Sequence, residues 1–122
     1  MPLAGLGVVV LDCPDPLALA TFYAAVVGGT PKDDGKGWVD LEVPGGTPLA
    51  FQAAPGHVPP QWPGAAHSQQ FHLDLEVDRA QLDAVEKEVL ALGATALDTE
   101  DRERSFRVYA DPAGHPFCLC AC

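Results

Sequence analysis

The sequence predicts an α+β fold built from two βαβββ modules, and three observations support this prediction. A strand-like block at Val8–Asp15, followed by a helical pattern, recurs at His72–Arg79, 64 positions later. The turn at Pro44–Pro48 recurs at Pro112–Pro116, 68 positions later. Apolar and polar residues also alternate from Phe71 to Val77, which is the period of a strand with one buried face. The chain therefore resembles itself, with the same order of elements in each half.

The first module begins with a predicted strand at Leu6–Cys13 and a helix that follows it. Asp15 is suited to accept hydrogen bonds from free amides of the first helical turn, and Pro16 fits the first helical position. Gly28 or Gly29 is expected to end the helix in a left-handed conformation. The predicted apolar face of this helix consists of Leu19, Phe22, Tyr23 and Val26.

Three further strands complete the first module. A short strand is predicted near Thr30–Asp33. Gly37–Val43 and Pro48–Ala53 then form a hairpin across the Pro44–Thr47 turn.

The second module repeats this order with a helix that we expect Asp78 to cap and Gly93 to end. Its strands are predicted near Ala94–Asp98, at Phe106–Ala110 and at Pro116–Ala121. The apolar stripe of the helix is predicted to consist of Leu82, Val85, Val89 and Leu92.

The second copy is longer, and we place its four additional residues near Asp98–Ser105. Charges of mixed sign cluster at Glu100–Arg104, and again at Glu86–Glu88 on the predicted helix. We expect both clusters to be solvated surface.

We interpret the 122 residues, 48% of them hydrophobic, as one domain with a single core. Module one covers residues 1–54, a connector rich in proline and glycine covers 55–70, and module two covers 71–122.

The charge balance argues against nucleic-acid and membrane partners. Seventeen acidic and seven basic residues give a formal charge of −10, which repels phosphate backbones and anionic lipids. No apolar run approaches the roughly 20 residues that span a bilayer, and the first residues lack the pattern of a signal peptide. We predict a cytoplasmic protein with reduced cysteines, because three of its four cysteines crowd the last five positions.

With its duplicated βαβββ order, Phe22-Tyr23 in the first helix, His72 opening module two, and Asp111–Phe117 near the end, the chain resembles the vicinal oxygen chelate superfamily. This superfamily includes glyoxalases, bleomycin resistance proteins and extradiol dioxygenases, and the chain is most similar to its glyoxalase-like branch. The resemblance implies that the mixed sheets curl into an open cup, with helices on the convex side and a ligand in the concavity. It also implies a homodimer.

Metal-using members of the superfamily hold a divalent ion through the first and last strands of each module, which correspond here to Val8, Ala50, His72 and Cys118. Only His72 is a standard ligand, and Cys118 is an alternative one. Such a set does not suit an ion that prefers oxygen ligands, so we predict no metal ion and no cofactor. A softer ion such as zinc remains an alternative, since Cys118 shares a strand face with Cys120 and with Cys122.

Six residues are candidates for contact with a small-molecule ligand, and each has a purely structural alternative. His72 is either a general base or hydrogen-bond donor, or a histidine satisfied within the wall of the cup. Asp74 either orients His72 or a ligand, or faces water. Cys118 is either an activated nucleophile or a packed apolar residue. The full set is His72, Asp74, Gln52, Trp62, Cys118 and Trp38.

The other three candidates, Gln52, Trp62 and Trp38, also have more than one interpretation. Gln52 either binds a polar ligand through its amide or makes an ordinary hydrogen bond at a strand end. Trp62, in the connector, is either a lid over an apolar ligand or a seal over the core. Trp38 shares a strand face with Asp40 and would line the cup if that face points inward.

These observations predict a metal-independent small-molecule-binding protein of the glyoxalase/bleomycin resistance type, one that sequesters an aromatic or cationic compound. The alternative is a lyase, isomerase or dioxygenase-like enzyme that uses His72 with or without a divalent metal. A third possibility is an interaction module.

Overall fold

The computed structural model describes residues 2–122, which divide into two compact units with the boundary between His57 and Val58. The first unit contains β1 (Val9–Cys13), α1 (Pro16–Val27), β2 (Pro31–Asp33), β3 (Trp38–Leu41) and β4 (Leu49–Ala53). The second contains β5 (Leu73–Glu76), a 3-10 turn (Arg79–Gln81), α2 (Leu82–Ala91), β6 (Thr95–Asp98), β7 (Phe106–Ala110) and β8 (Pro116–Cys120).

Each unit is a βαβββ module with a four-stranded mixed sheet, as predicted. The strand order is β1-β4-β3-β2 in the first sheet and β5-β8-β7-β6 in the second. The first and last strands of each module pair in parallel, whereas the other pairs are antiparallel. Val10 pairs with Ala50 in one sheet and Asp74 pairs with Cys118 in the other, so the two offsets of the repeat match structurally equivalent positions.

Helix α1 begins and ends where the sequence predicts. The Asp15 carboxylate accepts a hydrogen bond of 3.1 Å from the Ala18 amide, and Pro16 occupies the first turn. Gly28, at φ +88°, ends the helix, and its amide donates to the Ala24 carbonyl. The conformation of Gly28 is one that other residues adopt only with strain.

The core of the first unit lies between α1 and its sheet. Leu19, Phe22 and Tyr23 are buried on the helix, and Val26 is half-buried. The Tyr23 ring stacks on Phe51 of β4 with 5.7 Å between ring centroids. The predicted apolar face is therefore the face that packs, and it binds the helix to the middle of the sheet.

The start of α2 differs from the prediction. Asp78 precedes the 3-10 turn and makes no side-chain capping hydrogen bond, and Gln81 takes the N-cap position of α2. Leu82 and Val89 are buried, but Leu92 lies beyond the helix and is exposed. The 3-10 turn shortens the helix, so the stripe predicted from sequence packs only in part.

In the second unit, β7 and β8 provide most of the buried surface. Tyr109 and Phe117 stack with 5.6 Å between their ring centroids, and every residue of β8 is buried. Strand β5 is shorter than predicted and half-buried on its apolar side, and Phe71, which precedes it, is exposed. The loop 99–105 is longer than the matching loop 34–37, which agrees with the predicted insertion.

The prediction of reduced cysteines is wrong for two of the four. Cys120 and Cys122 form a disulfide, with 5.3 Å between their Cα atoms. Cys120 is the last residue of β8, and Cys122 lies two residues beyond the end of that strand. Cys13 and Cys118 are both buried.

Neither α1 nor α2 is long and apolar enough to cross a bilayer, and no other described segment forms such a helix.

Candidate functional site

Three polar side chains of the second unit converge where β5 pairs with β8. Asp74 of β5 lies opposite Cys118 of β8 in the parallel register, and His72 immediately precedes β5. The nitrogen, oxygen and sulfur atoms that these side chains offer all lie within 4.8 Å of one another. We call His72, Asp74 and Cys118 the polar cluster.

The polar cluster lies on the sheet face opposite α2. Arg107 and Tyr109 of β7 contact Glu86 of α2, so the helix covers their side of the sheet. Cys118 pairs with Val108, which lies between those two residues on β7 and points to the other side. Because side chains alternate between the two faces of a strand, the contacts with α2 lie on one face of the sheet and the polar cluster lies on the other.

His72 is held through both ring nitrogens. Its Nε2 atom lies 3.1 Å from Oδ1 of Asp74, and its Nδ1 atom lies 3.1 Å from Oε1 of Gln69. The His72 side chain is 33% exposed and that of Asp74 is 61% exposed. An exposed carboxylate and a fixed imidazole are therefore available to a molecule arriving from solvent.

Trp62 lies beside His72, with the two rings edge to face and 5.9 Å between their centroids. The loop that carries Trp62 is closed by a hydrogen bond from the Gln61 amide to the His67 carbonyl. Trp62 is only half-buried. Its ring therefore gives the polar cluster an aromatic neighbour that retains an accessible part.

Cys118 is a poor nucleophile in this setting. Its side chain is buried, and burial, followed by the charge and hydrogen bonding of Asp74, raises the pKa of its thiol to about 12. A thiol with such a pKa is almost entirely protonated at neutral pH. The geometry supports the packed-residue interpretation of Cys118.

Two predicted site residues, Trp38 and Gln52, belong to the first unit. They are cross-strand partners in β3 and β4, and the Trp38 indole N–H donates to Oδ1 of Asp40 at 2.9 Å. The Gln52 side chain is exposed, whereas its main-chain carbonyl lies 3.7 Å from the Cys13 sulfur. Their role in ligand binding stays a prediction.

The donors do not suit an ion that prefers oxygen ligands. Val8 and Ala50, at the corresponding positions of the first unit, have no donor atom in their side chains. The polar cluster supplies one carboxylate, one imidazole and one thiol. Magnesium and manganese favour sets of oxygen ligands, and this set of donors does not match that preference.

A second polar network, which the sequence analysis missed, joins α2 to β7. Glu86 accepts hydrogen bonds from Arg102 at 2.6 Å and from Tyr109 at 2.8 Å, and it pairs with the buried Arg107. The prediction that Glu86 is solvated surface is therefore wrong. Its spacing from Leu82 and Val89, four and three residues, could have revealed its inward position.

Gln69 was also missed, because a polar residue within a connector carries no periodic signal. Its contact with His72 depends on how the loop before β5 folds. Only the structure shows this contact.

A comparison with protein families finds that residues 8–120 match the model of the Glyoxalase-like domain. The chain belongs to this family. The match covers nearly the whole sequence and both modules, and it confirms the resemblance drawn from the sequence. A comparison with curated proteins finds no match.

Solved structures with the same fold include other glyoxalase-related proteins. A glyoxalase/bleomycin resistance protein/dioxygenase family enzyme from Burkholderia phytofirmans PsJN is 20% identical, with a TM-score of 0.73 over 95% of this chain and 97% of that one. The fosfomycin resistance protein FosX from Mesorhizobium loti is 15% identical, with a TM-score of 0.75 over 99% and 94% of the two chains.

A mutant FosX from Listeria monocytogenes, in complex with Mn(II) and 1S,2S-dihydroxypropylphosphonic acid, is 14% identical. Its TM-score is 0.70 over 99% of this chain and 91% of that one. At such low identities, these similarities show a shared fold. The activity of this Glyoxalase-like domain depends on its own residues.

Proposed function

We propose that this Glyoxalase-like domain binds a cationic or aromatic small molecule at the polar cluster and Trp62. The observation that carries the proposal is the exposed Asp74 carboxylate, which lies 3.1 Å from the imidazole of His72 while Trp62 contacts that same imidazole. These groups offer a negative charge, a hydrogen-bonding ring and an aromatic surface within one unit.

The charge of the protein favours a cation over an anion. The chain carries a formal charge of −10, and an acidic surface raises the local concentration of cations and their rate of association. Asp74 provides a direct partner for an amine or guanidinium, and an aromatic ring such as Trp62 attracts cations and flat apolar groups. A cationic compound with an aromatic or apolar part therefore matches both features.

The proposed binding needs no metal ion, and sequestration rather than turnover is its expected outcome. Support comes from the missing donors at Val8 and Ala50 and from the protonated thiol of Cys118. A drug-binding protective role is the version suggested by the bleomycin resistance members. The cytoplasmic location and the homodimer are parts of the same proposal, and the dimer is checked by analytical ultracentrifugation.

Isothermal titration with matched series of cationic, neutral and anionic aromatic compounds tests the proposal. We expect cationic members to bind, and Asp74→Asn to weaken them about tenfold, which corresponds to about 1.4 kcal/mol. Glu76→Gln is the matched control, since Glu76 is an exposed acidic residue on the same face of β5. Equal losses in both variants, or a preference for anions, would contradict the proposal.

Trp62 is tested separately. Trp62→Leu should weaken aromatic ligands, whereas Trp62→Phe should retain most of the affinity because it keeps an aromatic face. If both variants bind as tightly as the unmodified protein, Trp62 is a structural residue and has no part in the site.

Catalysis by His72 is a second candidate function, and the hydrogen bond between His72 and Asp74 favours it. A carboxylate beside one nitrogen of a histidine orients the ring, and Nδ1 would transfer the proton once a substrate replaces Gln69 at that nitrogen. Loss of a reaction in His72→Ala but not in Cys118→Ala would support a metal-free base. Unchanged turnover in His72→Ala would exclude it.

A further inference from the structure

The disulfide between Cys120 and Cys122 joins a fixed cysteine to an accessible one. Cys120 ends β8 and is only 4% exposed, whereas Cys122 lies beyond the strand and is exposed. The Cys120 carbonyl accepts a hydrogen bond of 2.9 Å from the Val77 amide. The next amide, that of Ala121, donates to the Ser105 carbonyl at 2.7 Å. One cysteine is therefore held in the sheet, and its partner is presented to solvent.

A structural role accounts poorly for this disulfide. Disulfides stabilise a fold mainly by restricting the unfolded chain, and this effect grows with the length of the loop that is closed. Cys120 and Cys122 are two residues apart, so the closed loop is very short. Cys120 is also already paired with Glu76 of β5 and with Phe106 of β7. Exposed disulfides are commonly the labile, regulatory or catalytic ones, which fits this position better.

An open cavity of about 460 Å³ lies against the disulfide. Residues 120–122 line this cavity together with Glu76, Asp78 and Arg79, and the side chains of these last three residues are exposed. A cavity of this size admits a small organic molecule. Two carboxylates against one guanidinium favour a neutral or cationic molecule over an anion, in agreement with the formal charge of −10 for the chain. A small reactant can therefore approach the disulfide.

We propose that Cys120 and Cys122 form a thiol–disulfide exchange site for small thiols of neutral or positive charge. The incoming thiolate attacks the sulfur of Cys122, because Cys122 is the exposed partner, and the sulfur of the buried Cys120 is released. The inference goes beyond the proposed function and does not depend on it, since the polar cluster takes no part in the exchange. Failure of the exchange would leave the binding of organic ligands unaffected.

The exchange proceeds in two steps that balance without a further reactant. The first thiolate forms a sulfur–sulfur bond with Cys122, the bond between Cys122 and Cys120 breaks, and the Cys120 thiolate takes up a proton. A second thiolate attacks the small-molecule sulfur of this mixed disulfide, which releases Cys122 as a thiol after protonation. Two thiols are thus oxidised to one small disulfide, and the protein disulfide gains their two electrons and two protons. The reverse reaction with a small disulfide restores the bond.

The experiment treats the folded full-length protein with three small thiols at mildly alkaline pH. Cysteamine, 2-mercaptoethanol and 3-mercaptopropionate carry a positive, no and a negative charge, and their rates of reduction are compared per thiolate. Iodoacetamide labelling and intact mass count the reduced protein. We expect reduction without unfolding, with cysteamine at least about threefold faster than 3-mercaptopropionate. A disulfide that is reduced only in denaturant, a domain that unfolds on reduction, or a preference for the anionic thiol would overturn the proposal.

The charge preference has a matched control. Glu76→Gln removes a carboxylate from the cavity and should reduce the preference for cysteamine. Glu88→Gln removes an exposed carboxylate from α2, which covers the other face of the sheet, and should leave the preference unchanged. Equal effects of the two substitutions would assign the preference to the net charge of the protein and refute the role of the cavity.

Two single variants identify the sulfur that is attacked. In Cys120→Ser no internal thiol resolves the mixed disulfide, so cystamine should add one cysteamine group at Cys122, which peptide mapping by mass spectrometry locates. Cys122→Ser leaves the buried Cys120, which should be modified at least about tenfold more slowly. Equal rates in the two variants would refute the assignment of Cys122. A main adduct at Cys13 or Cys118 would refute the site itself.

Discussion

At the residue scale, Cys118 illustrates how position decides reactivity. The sequence left open whether this cysteine is a nucleophile or a packed residue. Its side chain is buried in β8, and its cross-strand partner is the carboxylate of Asp74. Burial and a neighbouring negative charge both disfavour the thiolate. The pKa of the Cys118 thiol therefore rises to about 12, and the thiol is a weak nucleophile at neutral pH.

This environment makes a prediction for alkylation. At pH 8, iodoacetamide should label Cys118 far more slowly in the folded protein than in denaturant, because burial and the charge of Asp74 raise the pKa of its thiol. Asp74→Asn should increase the rate, since it removes a negative charge and leaves burial in place. Peptide mapping by mass spectrometry locates the label. Labelling of native Cys118 at the unfolded rate would disprove the assignment of its pKa.

Gly114 lies in the turn before β8, close to Pro59 in the segment that leads to Trp62. It has a φ of +92°, and a Cβ atom there would collide with Pro59. Gly114→Ala should destabilise the protein by roughly 2 kcal/mol, from backbone strain together with the steric conflict. Gly45→Ala is the control, because Gly45 also has a positive φ but faces open space. Thermal unfolding that shows equal losses for the two variants would mean that Pro59 does not restrict this position.

At the scale of elements, the two units differ in how the helix contacts the sheet: the contact between α2 and β7 is polar, whereas that between α1 and its sheet is aromatic. Tyr23 stacks on Phe51 in the first unit. In the second unit, the Tyr109 hydroxyl donates to Glu86 at 2.8 Å, and Arg107 and Arg102 contact the same carboxylate. A charged residue on the inner stripe of α2 is therefore satisfied by partners from two segments, which offsets the cost of partial burial.

A double-mutant cycle measures this contact. Tyr109→Phe removes the hydroxyl donor and should cost about 1 kcal/mol in urea unfolding. Glu86→Gln should cost more, because it leaves the buried Arg107 without its partly buried partner. The two losses should be less than additive, since Tyr109→Phe removes and Glu86→Gln weakens the same hydrogen bond. Strict additivity would show that the interaction between the Tyr109 hydroxyl and Glu86 contributes no free energy to folding.

The same network makes stability depend on pH. The hydrogen bond from the Arg102 guanidinium is the largest cause that lowers the pKa of Glu86 below its usual 4.5. The folded state therefore holds fewer protons than the unfolded state around that pH, and the stabilisation is present above it and is lost as the pH falls. The difference in melting temperature between the unmodified protein and Glu86→Gln should shrink as the pH is lowered from 6 to 3. A constant difference would rule out a lowered pKa.

At the scale of the whole molecule, the internal repeat made the fold predictable from the sequence. The contacts that the connector makes at the site were not predictable. Periodicity and turn residues were enough to place eight strands and two helices, since each depends on local pattern. The His72–Asp74 pair follows from that placement because strand residues two apart share a face. The contacts of Gln69 and Trp62 with His72 depend on the fold of a connector, and no local pattern encodes that fold.

The acidic composition leads to a prediction about salt. With a formal charge of −10, repulsion among carboxylates opposes folding, and the favourable ion pairs around Arg102 and Arg107 are too few to outweigh it. Sodium chloride at about 0.1 M screens charges beyond roughly 10 Å, which weakens the long-range repulsion more than contacts of 3 Å. The melting temperature should therefore rise between 10 and 200 mM salt at pH 7, with sucrose solutions of matched osmolarity as the uncharged control. If the melting temperature instead falls with salt, the close ion pairs contribute more to stability than the net charge costs.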